Sequence, residues 1–300
     1  SMKSCGEEKD VKKAKLIHAE IRRTECFLED AYVNTAILSM YMKCGAPTEA
    51  QMVFDNLSIR SVVSWNALIS GYVGLGYANK ALDLFEKMKN EGFLPNEVTF
   101  ACVLKACGSI GAIDKGQEMH TEVARNRLLE KNKIMGSAIV DMYVKCGVLV
   151  KAQQLLEKLP FRNVVSWGAL IEGYSNSGNV NLALQCFHDM QDDGIKPNGA
   201  IFVCILTACS HSGLVDEGYK YFNLMKDDYN IMPTIHHHIC MVDLLARTGH
   251  LKEAENVFLA LNVNHNGCRI LLTAGRTFGN LDLGKRCFER VQQKDNLDTS

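Results

Sequence analysis

The chain repeats itself. VVSWNALISGY at 62–72 returns as VVSWGALIEGY at 164–174, 102 residues later. Shifted by that distance, residues 31–96 fall on 133–198 with 29 identities in 66 positions. Self-similarity of this strength marks a stacked array, in which each unit buries its apolar face only against its neighbours. A length of 300 residues alone suggests about two compact domains. The repeat constrains the fold far more tightly.

The period divides into three related pieces, 31–61, 62–96 and 97–132, of 31, 35 and 36 residues. The second cycle is 133–163, 164–198 and 199–234. Residues 1–30 read as the end of an earlier long unit, because MKSCG at 2–6 matches LKACG at 104–108. A short unit follows at 235–264 and a related terminal unit at 265–300. Each piece reads as two helices. Trp65, Leu68, Ile69 and Tyr72 keep helical spacing, and so do Ala81, Leu82, Phe85 and Met88. Glycines at Gly74 and Gly76 separate the two. Gly92 stands where a helix end needs positive φ, and Pro95 stops continuation. Gly178, Gly194 and Pro197 repeat this one cycle later. One such hairpin cannot bury both apolar faces, but stacked neighbours can. The expected fold is all-α, a right-handed α-solenoid superhelix of helix-turn-helix repeats with the first helices on its concave face. Most of the echoed stretch is then core.

Apolar content of 47% and charge of 22% fit a folded chain. The net charge of −1 lacks the basic excess of many nucleic-acid binders, although a basic stripe can hide in a neutral total. No apolar run reaches the roughly 18 residues of a membrane span, so no membrane partner is expected. The twelve cysteines follow the repeat: Cys44 matches Cys146, Cys102 matches Cys204, and Cys107 matches Cys209 and Cys5. No CxxC occurs, so they read as packing residues in a reducing compartment rather than zinc ligands. The start, SMKSCGEEKD, has no signal-peptide or transit character. Ser1 ahead of Met2 reads as a cloning remnant, so the chain is expected to be a piece of a longer protein whose targeting segment lies outside it.

The 35-residue hairpin ending in GFLPN and GIKPN resembles the pentatricopeptide repeat. The alternation of 35, 36 and 31 resembles its PLS subclass of land-plant organelle proteins. YMKCG and YVKCG match the short repeat, and LKACGSIGAIDKGQEMH and LTACSHSGLVDEGYKYF the long one. HHHICMVDLLARTGHLKEAENVF resembles the last short repeat, and RILLTAGRTFGNLDLGKRCFERV the start of the extension (E) motif that follows it. Peptide-binding tetratricopeptide repeats, about 34 residues long, are the near neighbour but lack the three-length cycle.

The resemblance implies sequence-specific binding of single-stranded RNA, one base per repeat. It places base readers at the fifth and last residues of each repeat and a base-sandwiching residue at the second. Asn66 with Asn96 implies a pyrimidine, cytosine favoured; Ser137 with Asn163 implies adenine. Tyr32, Val63, Ile134 and Val165 occupy the second position. Thr35 is a usual reader whose partner Ser61 is not. Gly168 stands where a reader belongs, opposite Asn198. Ala101 with Asn132 and Val203 with Thr234 put apolar residues at the fifth position. Asn96 and Asn198 also suit turns after proline, and Asn132 suits a helix cap.

Within the subclass, the implied role is site recognition for C-to-U editing of a mitochondrial or chloroplast transcript, with a deaminase (DYW-type) or other editing factors in trans. RNA splicing or stabilisation, and a protein-interaction scaffold with degenerate RNA reading, are the alternatives. Such deaminases carry HxE and a later CxxC around zinc. Here His18 with Glu20 and His120 with Glu122 occupy equivalent repeat positions with no CxxC after them. They read as solenoid residues. His236, His237 and His238 point in different directions on a helix. No P-loop, GxSxG or dinucleotide fingerprint occurs. No metal, cofactor, small-molecule substrate or enzymatic activity is therefore expected.

Overall fold

A computed structural model describes residues 9–23, 30–260, 265–280, 282 and 286. The opening match at 2–6, with Cys5, and most of 281–300 lie outside the described residues. All regular structure among the described residues is helical. The chain forms two compact units, Ser1–Arg162 and Asn163–Ser300. The first holds α1 (Val11–Arg23), α2 (Ala31–Lys43), α3 (Pro47–Asp55), α4 (Val62–Gly74), α5 (Ala78–Asn90), α6 (Glu97–Ile110), α7 (Ile113–Arg125), α8 (Leu128–Lys131), α9 (Lys133–Lys145) and α10 (Leu149–Lys158). The second holds α11 (Val164–Asn176), α12 (Val180–Asp192), α13 (Gly199–Ser212), α14 (Val215–Asp227), α15 (Ile235–Arg247), α16 (Leu251–Ala260) and α17 (His265–Thr277).

In the first unit α2 packs on α3, α4 on α5, α6 on α7 and α9 on α10, and the first helices α2, α4, α6 and α9 lie side by side in that order. In the second, α11, α13 and α15 pair with α12, α14 and α16, and α11, α13, α15 and α17 stack in series. Each unit is an all-α solenoid of stacked hairpins, as the period predicts. The four-residue helix α8, in the tail of a long repeat, was not foreseen.

The turn inside a repeat differs in detail from expectation. Gly74 is the last residue of α4, not the breaker. The chain turns at Gly76, with φ +82. Its N–H reaches the Val73 carbonyl at 3.1 Å, and the Tyr77 N–H reaches the Tyr72 carbonyl at 2.9 Å. These paired bonds close the helix and need a left-handed residue. They also lead the chain straight into α5, whose N-cap residue Tyr77 makes no side-chain cap bond.

The core follows the echoed stretches. Trp65, Leu68 and Ile69 are wholly buried. Phe54 meets Trp65 edge to face at 4.6 Å. On α5 the buried residues are Ala78, Ala81, Leu84, Phe85 and Met88; Leu82 is only half-buried. Phe85 reaches Phe100 of the next repeat at 6.4 Å, and Phe187 reaches Phe202 at 5.6 Å. Each such buried side chain contributes on the order of 1.5–3 kcal/mol. The cysteines pack as free thiols at eight described positions. Burial pushes Cys107 and Cys204 up to about 11 and Cys209 up to about 12, so their reactive thiolates are scarce near neutral pH.

Close approach of successive first helices is tightest at Gly71. A Cβ there would lie 2.3 Å from Met42 Cγ and 2.8 Å from Met42 Cβ. Gly71→Ala is expected to destabilise the protein by about 1–3 kcal/mol in urea unfolding.

The two HxE histidines share one structural role. His18 Nδ1 lies 3.0 Å from the Tyr41 hydroxyl, and His120 Nδ1 lies 3.0 Å from that of Tyr143. Burial first, then Arg22 beside His18 and Lys151 beside His120, hold both imidazoles below their usual pKa. The unfolded chain then binds more protons than the folded one once pH falls below the ordinary histidine value. The thermal midpoint is therefore expected to be level above about pH 7 and to fall from about pH 6.5 downward. His120→Gln keeps a hydrogen-bonding group for Tyr143 and cannot titrate. A pH series of thermal melts should show it flattening part of that fall.

Candidate functional site

From α2 to α15, each first helix begins immediately after the last residue of the preceding repeat, so that residue is its N-cap. Ser61, Asn96 and Asn163 each form a reciprocal capping box, with Ser64, Thr99 and Ser166. Thr234 does so with His237. Asn132 accepts from the Ile134 N–H at 2.8 Å, and Asn198 from that of Ile201 at 3.1 Å. A polar side chain here satisfies a backbone donor that the helix itself leaves open. The last residues are thus held at the seams between hairpins by helix physics alone.

At one seam the proposed readers meet. Asn66 Nδ2 donates to Asn96 Oδ1 at 3.0 Å. The Thr99 hydroxyl donates to Asn66 Oδ1 at 2.6 Å. Asn96 Oδ1 also accepts from the Thr99 N–H at 3.1 Å. Asn66 is 8% exposed, while Asn96 is exposed at the rim. Oδ1 of each amide therefore faces protein. The Asn96 Nδ2 group has no partner among the described residues and is left as a donor at the surface.

The second positions flank these seams. Tyr32, Val63, Ile134 and Val165 stand out of the first turn of α2, α4, α9 and α11, between 61% and 85% exposed. Sequence reasoning missed Val98, 54% exposed at the same place on α6; its register position was the available signal. Tyr32, Thr35, Ser61 and Val63, with Ala36 and Ser39, line one cavity of about 350 Å³. It opens between two second-position side chains and is lined by both the fifth residue, Thr35, and the last residue, Ser61, of that repeat. Thr35 bonds back to the Ala31 carbonyl at 2.7 Å and is not joined to Ser61.

Two of the other pairs, Ala101 with Asn132 and Gly168 with Asn198, are not joined as Asn66 and Asn96 are. Asn132 donates to the Glu97 carboxylate at 2.5 Å, and Ala101 offers it no polar group. Asn198 caps α13, and Gly168 has no side chain to meet it. Ser137 is buried in the first unit and Asn163 is half-buried in the second. The histidine run does not converge. His237 is buried in its capping box with Nε2 2.8 Å from the Gly199 carbonyl, His238 lies edge-on to Phe222 at 5.2 Å, and His236 is exposed. Among the described residues, no group of three or more His, Cys, Asp or Glu side chains is placed to hold a metal ion. Among them also, no helix is long and apolar enough to cross a membrane.

Charges on the first helices are partly neutralised within the helix. Lys145 pairs with Asp141 at 2.7 Å and Arg247 with Asp243 at 2.8 Å. Because the cap and the contact with Asn66 both use Asn96 Oδ1 while Nδ2 faces outward, the two atoms are separable by substitution. Asn96→Ala is expected to lose about 1 kcal/mol, and Asn96→Asp, which keeps the capping oxygen, to stay within about 0.5 kcal/mol. Thermal melts of the two variants decide this.

Comparison with known proteins places this architecture. The PPR repeat family model matches residues 60–109 and 162–209, and a PPR repeat model matches 200–229. A pentatricopeptide repeat-containing protein of Arabidopsis thaliana is 36% identical over 301 residues, covering 100% of this chain and 41% of its own length. The Arabidopsis protein DOT4, named chloroplastic, is 44% identical over 213 residues, 71% of this chain and 24% of its own. Another, named mitochondrial, is 35% identical over 292 residues, 97% of this chain and 52% of its own. The chain spans about two fifths of the length of the first of these relatives. Among solved structures, the pentatricopeptide repeat protein PPR10 in complex with an 18-nt psaJ RNA element matches with TM-score 0.77 at 17% identity, over 94% of this chain and 42% of that one. PPR10 from maize matches with TM-score 0.69 at 17% identity, over 88% and 38%. With its period, its capped seams and these relatives, the chain belongs to the pentatricopeptide repeat family.

Proposed function

We propose that the chain is a sequence-specific binder of single-stranded RNA, and that it serves as a site-recognition factor for C-to-U editing of organellar transcripts. The observation that carries RNA reading is the Asn66–Asn96 amide pair, held at a seam between the exposed aliphatic side chains of Val63 and Val98. A base entering there would stack against aliphatic surface while its edge meets Asn96 Nδ2. Single strands are suited to this, because their unstacked bases expose both faces and edges. A donor-presenting edge favours the carbonyl oxygen and ring-nitrogen acceptors of a pyrimidine. The cavity between Tyr32 and Val63 offers a second base-sized opening.

Supporting RNA as partner, the solved protein of the same fold, PPR10, is held with an RNA element. Relatives named mitochondrial or chloroplastic support an organellar setting. The PLS subclass, the extension motif and the editing role rest on the 35, 36 and 31 alternation and on the stretch from 269 onward. In this reading the chain's own residues perform no chemistry, and a DYW-type deaminase or another editing factor acts in trans. Ala101, Gly168 and Val203 favour a second reading. Units lacking a polar fifth residue specify few bases, which suits splicing or stabilisation by occupancy, or a protein-interaction scaffold.

The test is selection from a random single-stranded RNA pool, run beside Asn66→Thr. The expected result is enriched RNA in which one position moves from pyrimidine towards adenine in the variant. If neither protein enriches any RNA, base reading is wrong and the scaffold reading replaces it.

A further inference from the structure

We infer that Thr99, at the third position of the helix after the reading pair, is a positioning residue for base specificity, and that Ile201 at the equivalent position holds the matching seam of the second cycle in a non-reading state. This rests on the RNA-reading proposal and adds a third residue to each reading site.

The geometry at Thr99 is specific. Its hydroxyl has one hydrogen, and the shorter contact directs it to Asn66 Oδ1 at 2.6 Å rather than to Asn96 Oδ1 at 3.1 Å. As an acceptor the same oxygen takes the Asn96 N–H at 3.1 Å. A side-chain amide can turn over about its last torsion and exchange donor for acceptor. Thr99 removes that freedom. With Asn66 Oδ1 held by the hydroxyl, Nδ2 is directed to Asn96 Oδ1, which leaves Asn96 Nδ2 outward. Thr99 is wholly buried, so it touches no base itself.

The equivalent seam keeps the cap, with Asn198 Oδ1 accepting from the Ile201 N–H, but lacks the other two side chains. Gly168 replaces Asn66, and Ile201, 2% exposed, replaces Thr99. A Cβ at Gly168 would lie 3.1 Å from Ile201 Cδ1, so the isoleucine fills the space an amide would need. The association runs through the whole chain. Where the fifth residue is polar (Thr35, Asn66, Ser137), the third residue of the next repeat is Ser64, Thr99 or Ser166. Where it is Ala101, Gly168 or Val203, the third residue is Met135, Ile201 or His237. Across these six units a polar fifth residue and a hydroxyl at the next third position occur together, and at Asn66 and Thr99 a hydrogen bond joins them.

The experiment measures binding to four RNA oligonucleotides that share the wild-type selected sequence and differ only at the position moved by Asn66→Thr. Thr99→Val is expected to lose about tenfold of the discrimination at that position while preferences elsewhere stay as in the wild type; Thr99→Ser is expected to keep it. At the second cycle, Gly168→Asn alone is expected to create no new preference in a repeat selection, and Gly168→Asn with Ile201→Thr to create one. This gain-of-function arm stands even if Thr99→Val destabilises the first seam. Wild-type discrimination retained by a folded Thr99→Val, or a preference created by Gly168→Asn alone, overturns the inference and leaves RNA reading intact. Absence of any base preference in the wild type overturns RNA reading itself, and the inference with it.

Discussion

Every first helix described from Ala31 to Thr234 starts on a side-chain oxygen supplied by the residue just before it, and the rest of the structure depends on that contact. Between repeats the donor of this oxygen is the last residue of the preceding hairpin. The cap closes the helix N-terminus, sets the seam between hairpins and fixes which end of the capping amide faces protein. At Asn96 the oxygen is held inward by Thr99 and Asn66, so the amide nitrogen is what the surface receives. Architecture and chemical identity of the surface are set by one atom. The second helices manage without such caps because paired backbone bonds at a left-handed glycine close the turn ahead of them, as at Gly76.

This is why the fold was legible in the sequence and the site only partly so. The period, the hairpins and the buried Trp65, Leu68 and Ile69 follow from apolar spacing, which survives in one dimension. The turn glycine was misplaced because Gly74 and Gly76 look alike in sequence; only φ separates them. Leu82 and Leu84 differ by two residues on one helix, and packing against the neighbouring hairpin, not composition, chooses Leu84. At the site, capping and base reading looked like rival explanations of Asn96. They are compatible, because an amide has two ends. Thr99 carried no signal within its own repeat and acquires meaning only when one hairpin is laid on the next; Val98 had its register position alone to mark it. The bond from Asn132 to Glu97 joins residues 35 apart in sequence, which no local pattern reveals.

The near-neutral charge has a physical location. Several basic side chains on second helices are engaged by carboxylates of adjacent hairpins: Lys15 with Glu49 at 2.8 Å, Lys89 with Glu122 at 2.8 Å and Lys115 with Glu86 at 2.5 Å. Such partly exposed pairs add little stability individually. Their effect is on the field: cations committed to neighbours along the stack are less available to phosphates. On the proposed function, RNA binding through such a surface would lean on stacking and edge contacts more than on counterion release.

On the proposed RNA-reading function, a unit that reads no base would still serve in two ways. The hairpin of 164–198 stacks its helices as that of 62–96 does, with Trp167 buried and its Nε1 donating to Asp193 at 3.0 Å. It also keeps Val165 exposed at the second position. Stacking preserves the step from one seam to the next, and the aliphatic side chain preserves a surface on which any base can lie. Losing Asn at position 168 therefore removes a preference without removing a place. Deleting the hairpin would do something quite different, because it would shift every later seam by one step against the strand. The constraint that retains degenerate repeats is register, and register is a property of the backbone stack rather than of any reader. That is why an array can keep its period to 29 identities in 66 positions while its fifth residues drift from Asn66 to Gly168.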